Sequence, residues 1–455
     1  MPTYQKENPL GTQPVNKLLK QFAIPSIIAM LVTALYNIVD QFFIGHSVGE
    51  LGNAATNVSF PLSISCIAIA LLFGIGGASA FNLTMGKGNK EEALYYIGNA
   101  ASFLFGLGVL LSLVTQCFLT PLLKLFGSPN NVLEYASIYT RITSLGFPFL
   151  IISAGGGHLI RADGSPKFSM LCNLTGAIIN TLLDALFVFV LNLGMAGAAL
   201  ATIIGQMVSG AMAIYYLCHY KTASITKAHL IPQKKYVLTI MSLGAAPCTN
   251  QLAMMLVQIV MNQSLTYYGA LSDYGASIPL ACAGIITKVS QLFFSFIIGI
   301  SQGLQPIIGF NYGAKHYLRV KKAYLLAALY GAILSLFAFF MFQVFPKNII
   351  SLFGNGTDAY YQFATTYFRV FLFFTFLNFC QPITSNFFTA IGKPKKGIFL
   401  SLTRQILFLL PLLIILPLFL GIDGILYAGP IADGLAGIIS IFMITHEFRK
   451  KEFRH

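Results

Sequence analysis

Twelve membrane-crossing helices in two six-helix bundles are what this chain predicts. Three observations carry that reading: its apolar composition, the one-sided placement of its basic residues, and an internal repeat. Of 455 residues, 56% are hydrophobic and 9% charged, against roughly 25% charged in an ordinary soluble protein. Mean hydropathy is +0.75, and the apolar residues fall into about a dozen runs, each long enough to cross a hydrocarbon core of about 30 Å. A soluble globular enzyme is nearly excluded. A membrane β-barrel would show short alternating segments, and none occurs. The 41 Gly and 19 Pro suit membrane helices, where neighbouring helices and waters satisfy freed backbone groups.

Read between polar breaks, the helices fall near residues 18–45, 53–83, 92–117, 132–157, 168–191, 195–219, 236–267, 277–311, 321–344, 358–388, 397–419 and 425–446. An even number of crossings puts both ends on one side. The net charge of +14 rests on 28 Lys and Arg residues, and their locations decide its meaning. Most lie in alternate connections and at the termini, among them Lys6, Lys17, Lys87, Arg161, Lys221, Lys315, Lys393, Lys450 and Arg454, whereas only Lys124 and Lys347 lie in the other set. That asymmetry predicts cytoplasmic termini in a plasma (inner) membrane and assigns the positive charge to insertion rather than to nucleic acid. The polar first twenty residues carry no small-residue cleavage site, so no removable signal peptide is expected. Cys66, Cys117, Cys172, Cys218, Cys248, Cys282 and Cys380 all fall within apolar helices. They read as packing residues, with no disulfide framework and no structural metal site.

Landmarks recur at an offset of 227 to 228 residues: Gly86 with Gly313, Leu125-Phe126-Gly127 with Leu352-Phe353-Gly354, Tyr139-x-Arg141 with Tyr367-x-Arg369, Gly164-x-Pro166 with Gly392-x-Pro394, and Leu193-Gly194 with Leu420-Gly421. Six helices separate corresponding points, so the halves share one membrane orientation and are related by a pseudo-two-fold axis along the membrane normal, a 6+6 parallel repeat. The expected division is an N-lobe over 1–220, a polar, loop-like cytoplasmic linker over 221–235, and a C-lobe over 236–455. A cleft between two such lobes is where alternating access operates.

Of the fourteen acidic residues, Asp40, Asp184 and Asp433 fall well inside helices. A carboxylate near the bilayer centre costs about 2.5 to 3.5 kcal/mol on insertion scales, so it marks a cavity, a partner or a pathway. Asp40 shares a helix face with Tyr36 and Asn37; Asn180 and Asp184 are one turn apart, as are Thr202 and Gln206. If these faces converge, two carboxylates, an amide oxygen and a hydroxyl surround one point. That set suits a hard cation such as Na⁺, or a proton shared between two carboxylates. In the second half Asp40 falls opposite Asn262 and Asp184 opposite Pro411 or Leu412, so the carboxylate pair belongs to one lobe and a coupling-ion site is expected there. The competing account is a structural pair satisfied by neighbouring donors. For Asp433 that account is stronger, with Lys288 or Arg404 as neutralising partner. Arg141 and Arg369 read as snorkelling and packing residues, and Gly155-Gly156-Gly157-His158 as a flexible helix end.

These residues resemble the multidrug and toxic compound extrusion (MATE) family. The resemblance rests on Pro25 through Tyr36-Asn37-Ile38-Val39-Asp40-Gln41-Phe42-Phe43-Ile44-Gly45 and on Gly303-Leu304-Gln305-Pro306-Ile307-Ile308-Gly309-Phe310-Asn311-Tyr312-Gly313-Ala314. Pro430-Ile431-Ala432-Asp433 is similar to the MepA-like branch. The resemblance covers essentially the whole chain. It implies cation-coupled (H⁺ or Na⁺) antiport that exports amphipathic, often cationic drugs, with no cofactor beyond the coupling ion. It also implies an ion site at Asp40, Asn180, Asp184 and Thr202 with Tyr139 beside it. A cleft lined by Tyr36, Asn37, Tyr139, Gln206 and Asn262 is expected from the same reading. Relatives with a C-lobe site carry acids where this chain offers Gln258, Asn262, Lys288 and Gln291, so a C-lobe ion site of that kind is not expected. The expected partners are small organic cations and membrane lipid, with no nucleic acid, and the expected state is a monomer. The alternative transporter is a lipid-linked precursor flippase, which would call for several cavity cations, whereas this chain offers Arg141, Lys288, Arg369 and Arg404 inside its helices. An intramembrane enzyme lacks its constellation, since neither H-E-x-x-H nor G-x-S-G occurs.

Overall fold

Inside a bilayer the backbone has no partner but itself, and long apolar runs therefore close into helices. In the computed structural model, residues 8–126, 128, 130–275, 277–352 and 357–453 are described. Lys6, Gly127, Phe353, Gly354 and Arg454 lie outside them. The N-lobe comprises span one (Val15–Ser47), span two (Glu50–Gly86), span three (Lys90–Cys117), span four (Asn130–Ser144 continued by Phe147–Ala162), span five (Pro166–Asp184 continued by Ala185–Val190) and span six (Gly194–Cys218). The C-lobe follows with span seven (Lys234–Ala270), span eight (Ser277–Gly313), span nine (Tyr317–Val344), span ten (Asp358–Phe371, Phe373–Leu377 and Cys380–Ala390), span eleven (Pro394–Leu402, Thr403–Leu409 and Leu410–Leu420) and span twelve (Ile422–Phe448). Among the described residues, eleven helices are long and apolar enough to cross a membrane, and the bent fourth makes twelve if it is one span.

The repeat is visible in detail. Gly164 and Gly392 take left-handed φ values of 78° and 77°, and Pro166 and Pro394 each open the next helix. The Gly-x-Pro motif is thus a turn followed by a helix start that needs no N–H. Short helices Leu119–Leu125 and Pro346–Ser351 follow spans three and nine at corresponding positions. Span four is not one straight helix: it bends by 57° between Ser144 and Phe147, where Pro148 in the first turn of the second piece breaks the ladder. Span ten breaks at the matching place. Gln116 Nε2 donates to the Arg141 carbonyl at 2.6 Å and Gln343 Nε2 to the Arg369 carbonyl at 2.9 Å, so each lobe caps its broken span with a glutamine from the preceding one.

The linker is ordered against the N-lobe rather than loose. It contains a short helix, Lys227–Leu230, and the buried Asn99 donates to the His229 and Ile231 carbonyls and accepts from the Gln233 N–H. The Gly155–His158 run corrects the expectation of a flexible end, because it lies within the helix Phe147–Ala162. A Cβ on Gly155 would stand 2.4 Å from Leu104 Cδ2, and one on Gly74 2.6 Å from the Gly155 carbonyl oxygen. These glycines let spans two, three and four pack closely.

The lobes meet at the end that carries the termini and the basic connections. A Cβ on Gly244 would lie 1.8 Å from the Leu72 carbonyl oxygen, and one on Gly303 2.6 Å from Ala23 Cα. The inter-lobe hydrogen bonds fall in this half, among them Gln305 Nε2 to Ser79 Oγ at 2.6 Å and Asn311 Nδ2 to the Leu10 carbonyl at 2.9 Å. The main core cluster is continuous through both lobes. A second cluster around Ile44, Ala55, Leu123, Val188 and Ala198 belongs to the far end of the N-lobe alone. The lobes thus close against each other at the terminus-bearing end and part towards the other.

Candidate functional site

The N-lobe site is built where spans five and six cross most tightly. A Cβ on Gly205 would meet the Gly176 carbonyl oxygen at 2.7 Å, and one on Gly176 would meet Ser209 Oγ at the same distance. Ser209 donates to the Cys172 carbonyl one turn further along span five. This close crossing brings Asn180 against Thr202, with Nδ2 3.4 Å from Oγ1. One helical turn beyond Asn180 is Asp184, the last residue of regular α-helix before a π-helical stretch over Ala185–Val190. A π turn re-aims the side chains around it. Span one packs along span five and presents Asp40 to the same point, close enough for its charge to act on Asp184. The Tyr36, Asp40 and Tyr139 side chains all approach the Thr202 hydroxyl.

The faces assumed to converge therefore do so, and the site is buried. Asp184 is fully buried, Asn180 is 2% exposed, Thr202 5% and Asp40 8%. Both Asp184 oxygens, Asp40 Oδ1, Asn180 Oδ1 and Gln206 Oε1 are buried with no hydrogen-bond partner among the described residues. A buried carboxylate without a donor is costly. The two Asp residues and the Asn180 oxygen are thus poised to take a proton or a small cation, for which the hydroxyl of Thr202 supplies a further hard oxygen ligand. A pair satisfied by neighbouring donors would need partners for Asp40 Oδ1 and both Asp184 oxygens, and the described residues supply none.

Gln206 sits apart from that point, one turn along span six. Its Oε1 would lie 2.5 Å from a Cβ on Gly146, at the bend of span four. Tyr36 and Tyr139 are half-buried at the edge of the cluster and Asn37 is exposed.

A family model described as MatE matches residues 25–186 and 248–415. This chain belongs to the MATE family. The multidrug export protein MepA of Staphylococcus haemolyticus (strain JCSC1435) is 24% identical over 431 residues, covering 94% of this chain and 93% of that protein. The MATE multidrug transporter DinF-BH, solved as a ligand complex, is 32% identical with a TM-score of 0.88, over 97% of this chain and 98% of that one. An outward-facing multidrug resistance MATE transporter of the MOP superfamily matches with a TM-score of 0.88 at 22% identity, over 99% of this chain and 98% of that one. The chain is thus a multi-pass membrane transporter of a family whose named relatives here export drugs.

The C-lobe of this MATE transporter is built differently. Asp433, 3% exposed, accepts from Arg404 Nε at 2.5 Å and from Asn378 Nδ2 at 3.1 Å. Of the two neutralising partners considered, Arg404 is the one bonded to it. Lys288 is half-buried and Gln291 exposed on span eight. Gln258 Nε2 donates to Asn262 Oδ1 at 2.9 Å, so the position opposite Asp40 holds a neutral amide pair. Sequence reasoning missed Asn378 and the π-helical segments Ala185–Val190 and Thr403–Leu409, which adjoin Asp184 and include Arg404. The isolated Asn in an apolar run was the available signal for Asn378; no composition cue marks a π turn.

Proposed function

We propose that this transporter is a cation-coupled antiporter that exports amphipathic organic cations from the cytoplasm by alternating access. The observation that carries the proposal is the buried Asp40–Asp184 pair, in which both Asp184 oxygens and Asp40 Oδ1 have no hydrogen-bond partner among the described residues. The end at which the lobes close carries the basic connections, and the positive-inside pattern supports placing it at the cytoplasmic face of a plasma membrane. The conformation described is then outward-open. H⁺ or Na⁺ entering from outside neutralises the pair, which weakens a cationic substrate's hold on the adjacent cleft. The lobes can then exchange ends. Inward-open, the site releases its ion and accepts the next cation, with Tyr36 and Tyr139 as aromatic walls. The ion acts only through its different affinity for the two states, as any coupled exchange requires. Asn180 and Thr202 position the carboxylates and ligate the ion. No cofactor enters the cycle, the chain works as a monomer within membrane lipid, and nucleic acid has no part in it. A lipid-linked pyrophosphate fits the cleft poorly, since Arg404 is already engaged by Asp433 and two carboxylates face the N-lobe side.

The deciding experiment is export of a fluorescent lipophilic cation from proteoliposomes, with pH and Na⁺ gradients imposed separately. Either gradient should drive export by the wild-type chain, naming the ion, and Asp184→Asn and Asp40→Asn should lose at least about tenfold in rate at unchanged reconstitution. Gradient-driven export that survives both substitutions overturns the coupling role.

A further inference from the structure

Where the lobes touch, spans one and eight run antiparallel, and their contacts fix a register. A Cβ on Gly303 would lie 2.6 Å from Ala23 Cα, and one on Gly299 2.6 Å from Ile27 Cα. Next in the series, Ser295 Oγ is 3.5 Å from the Met30 carbonyl oxygen. Each step forward along span one is thus a step back along span eight. About two turns beyond Met30 comes Asn37, and about two turns back from Ser295 comes Lys288. Over this stretch the lobes have parted: Asn37 and Gln41 on span one and Gln291 on span eight are exposed. A Cβ on Gly284, one turn from Lys288 on the same face, would meet nothing within 4 Å. Half-buried Lys288 therefore stands on the C-lobe wall of the cleft, level with Asn37, and Asp40 is one turn further along the facing span.

No acid answers this lysine within the protein. Lys288 joins none of the ion pairs or hydrogen bonds among the described residues, and Asp433, the buried acid of its own lobe, is held by Arg404. The adjoining face of span seven carries the neutral Gln258–Asn262 amide pair. A lysine kept only to snorkel sits near a helix end, whereas Lys288 lies about three turns inside span eight, which starts at Ser277. An unpaired base that deep in a span is costly unless it serves a pathway. The cleft is thus polarised, with two carboxylates in the N-lobe and a lone ammonium group on the opposite wall. A simple organic cation satisfies the first and is repelled by the second. A molecule with a charge of each sign satisfies both.

We propose that Lys288 is a specificity residue of the cleft: it takes the carboxylate of a zwitterionic amphiphile whose cationic end faces Asp40 and Asp184. The inference rests on the cleft being the substrate path and narrows the substrate class to organic cations that also carry an acid group. One ammonium group matches one carboxylate, through a charge-assisted hydrogen bond. Neutral Gln291, one turn along the same face, leaves that charge count unchanged.

The test compares two dyes with the same cationic ring system. Rhodamine 110 carries a free carboxylate and is a zwitterion, while rhodamine 123 is its methyl ester and a simple cation. Binding of each to the purified full chain in lipid nanodiscs, without any gradient, is read by fluorescence anisotropy. Lys288→Gln should weaken rhodamine 110 at least about fivefold and leave rhodamine 123 as tight as before or tighter. Lys288→Arg, which keeps the charge, should bind rhodamine 110 more tightly than Lys288→Gln does. Equal losses for both dyes, no loss for either, an arginine variant no better than the glutamine one, or a wild-type chain that does not bind rhodamine 110 would each overturn the proposal. In proteoliposomes Lys288→Gln should raise KM for rhodamine 110 at a nearly unchanged maximal rate; a fall in maximal rate for both dyes alike would assign Lys288 to the conformational cycle and overturn it. The binding arm needs no gradient, so absence of gradient-driven export would sink the antiport reading and leave this one decidable.

Discussion

At the scale of residues, the buried charges divide into two kinds. Both Asp184 oxygens and Asp40 Oδ1 have no donor among the described residues, whereas Asp433 is held by Arg404 and Asn378. Removing Arg404 strands a carboxylate that is 1% exposed. Arg404→Ala should therefore destabilise by about 3 kcal/mol, and adding Asp433→Asn should recover most of it; unfolding in detergent measures both. The tips of the lobes carry a related pair of acids. Glu447, fully buried, gathers Lys393, Lys396 and Lys450 in the C-lobe, while in the N-lobe the acid sits on the turn as Asp163 and the donors come from the end of span six. Burial pushes the Asp163 carboxyl above the usual carboxylate range, against the pull of the Thr222, Lys221 and Tyr216 donors. The folded chain then holds that proton more tightly than the unfolded chain, so this group's contribution declines as pH rises from the ordinary range into the raised one. Asp163→Asn should flatten the decline in unfolding temperature as pH rises above about 4, and an unchanged slope would assign it to another group.

At the scale of elements, glycine placement decides how the helices approach. Without a hydrophobic drive between helices in lipid, close backbone contact through small residues supplies the packing. Gly244 lies against the Leu72 carbonyl, and Gly76 against that of Ile240, where a Cβ would stand 2.1 Å away. Gly244→Val forces spans two and seven apart. It should open the terminus-bearing end, so that a cysteine at Gln305, now 4% exposed, is labelled several-fold faster by a membrane-impermeant thiol reagent. The broken spans four and ten show a second device, since the residues flanking each break keep their carbonyls satisfied by Gln116 and Gln343. Two copies of one solution at the repeat offset mark it as a feature of the fold rather than of either site.

At the scale of the whole molecule, the lobes share one continuous core at the closed end and separate at the other. That closed interface includes the amides and hydroxyl of Gln302, Gln305, Asn311 and Ser79, which the proposed exchange of ends would rehydrate. A disulfide between Ser79→Cys and Gln305→Cys, in a background without the native cysteines, should hold the lobes shut and abolish export until a reductant is added. Full activity of the cross-linked protein would show that this end need not open.

The sequence by itself determined the class, the twelve crossings and the duplication. Each rests on a rule that acts locally or additively: apolar composition, apolar length and a constant offset. It also nominated Asp40, Asn180, Asp184 and Thr202, because a carboxylate within an apolar run is conspicuous wherever it points. Only the tertiary structure decided which carboxylates meet and which are neutralised. That depends on where helices distant in sequence cross, at Gly176 and Gly205, and on which side chain reaches across, as Arg404 does for Asp433. The π turns and the contact of Arg319 and Asn311 with the Leu10 carbonyl were equally invisible beforehand, the latter because it joins segments far apart along the chain, which no periodicity records.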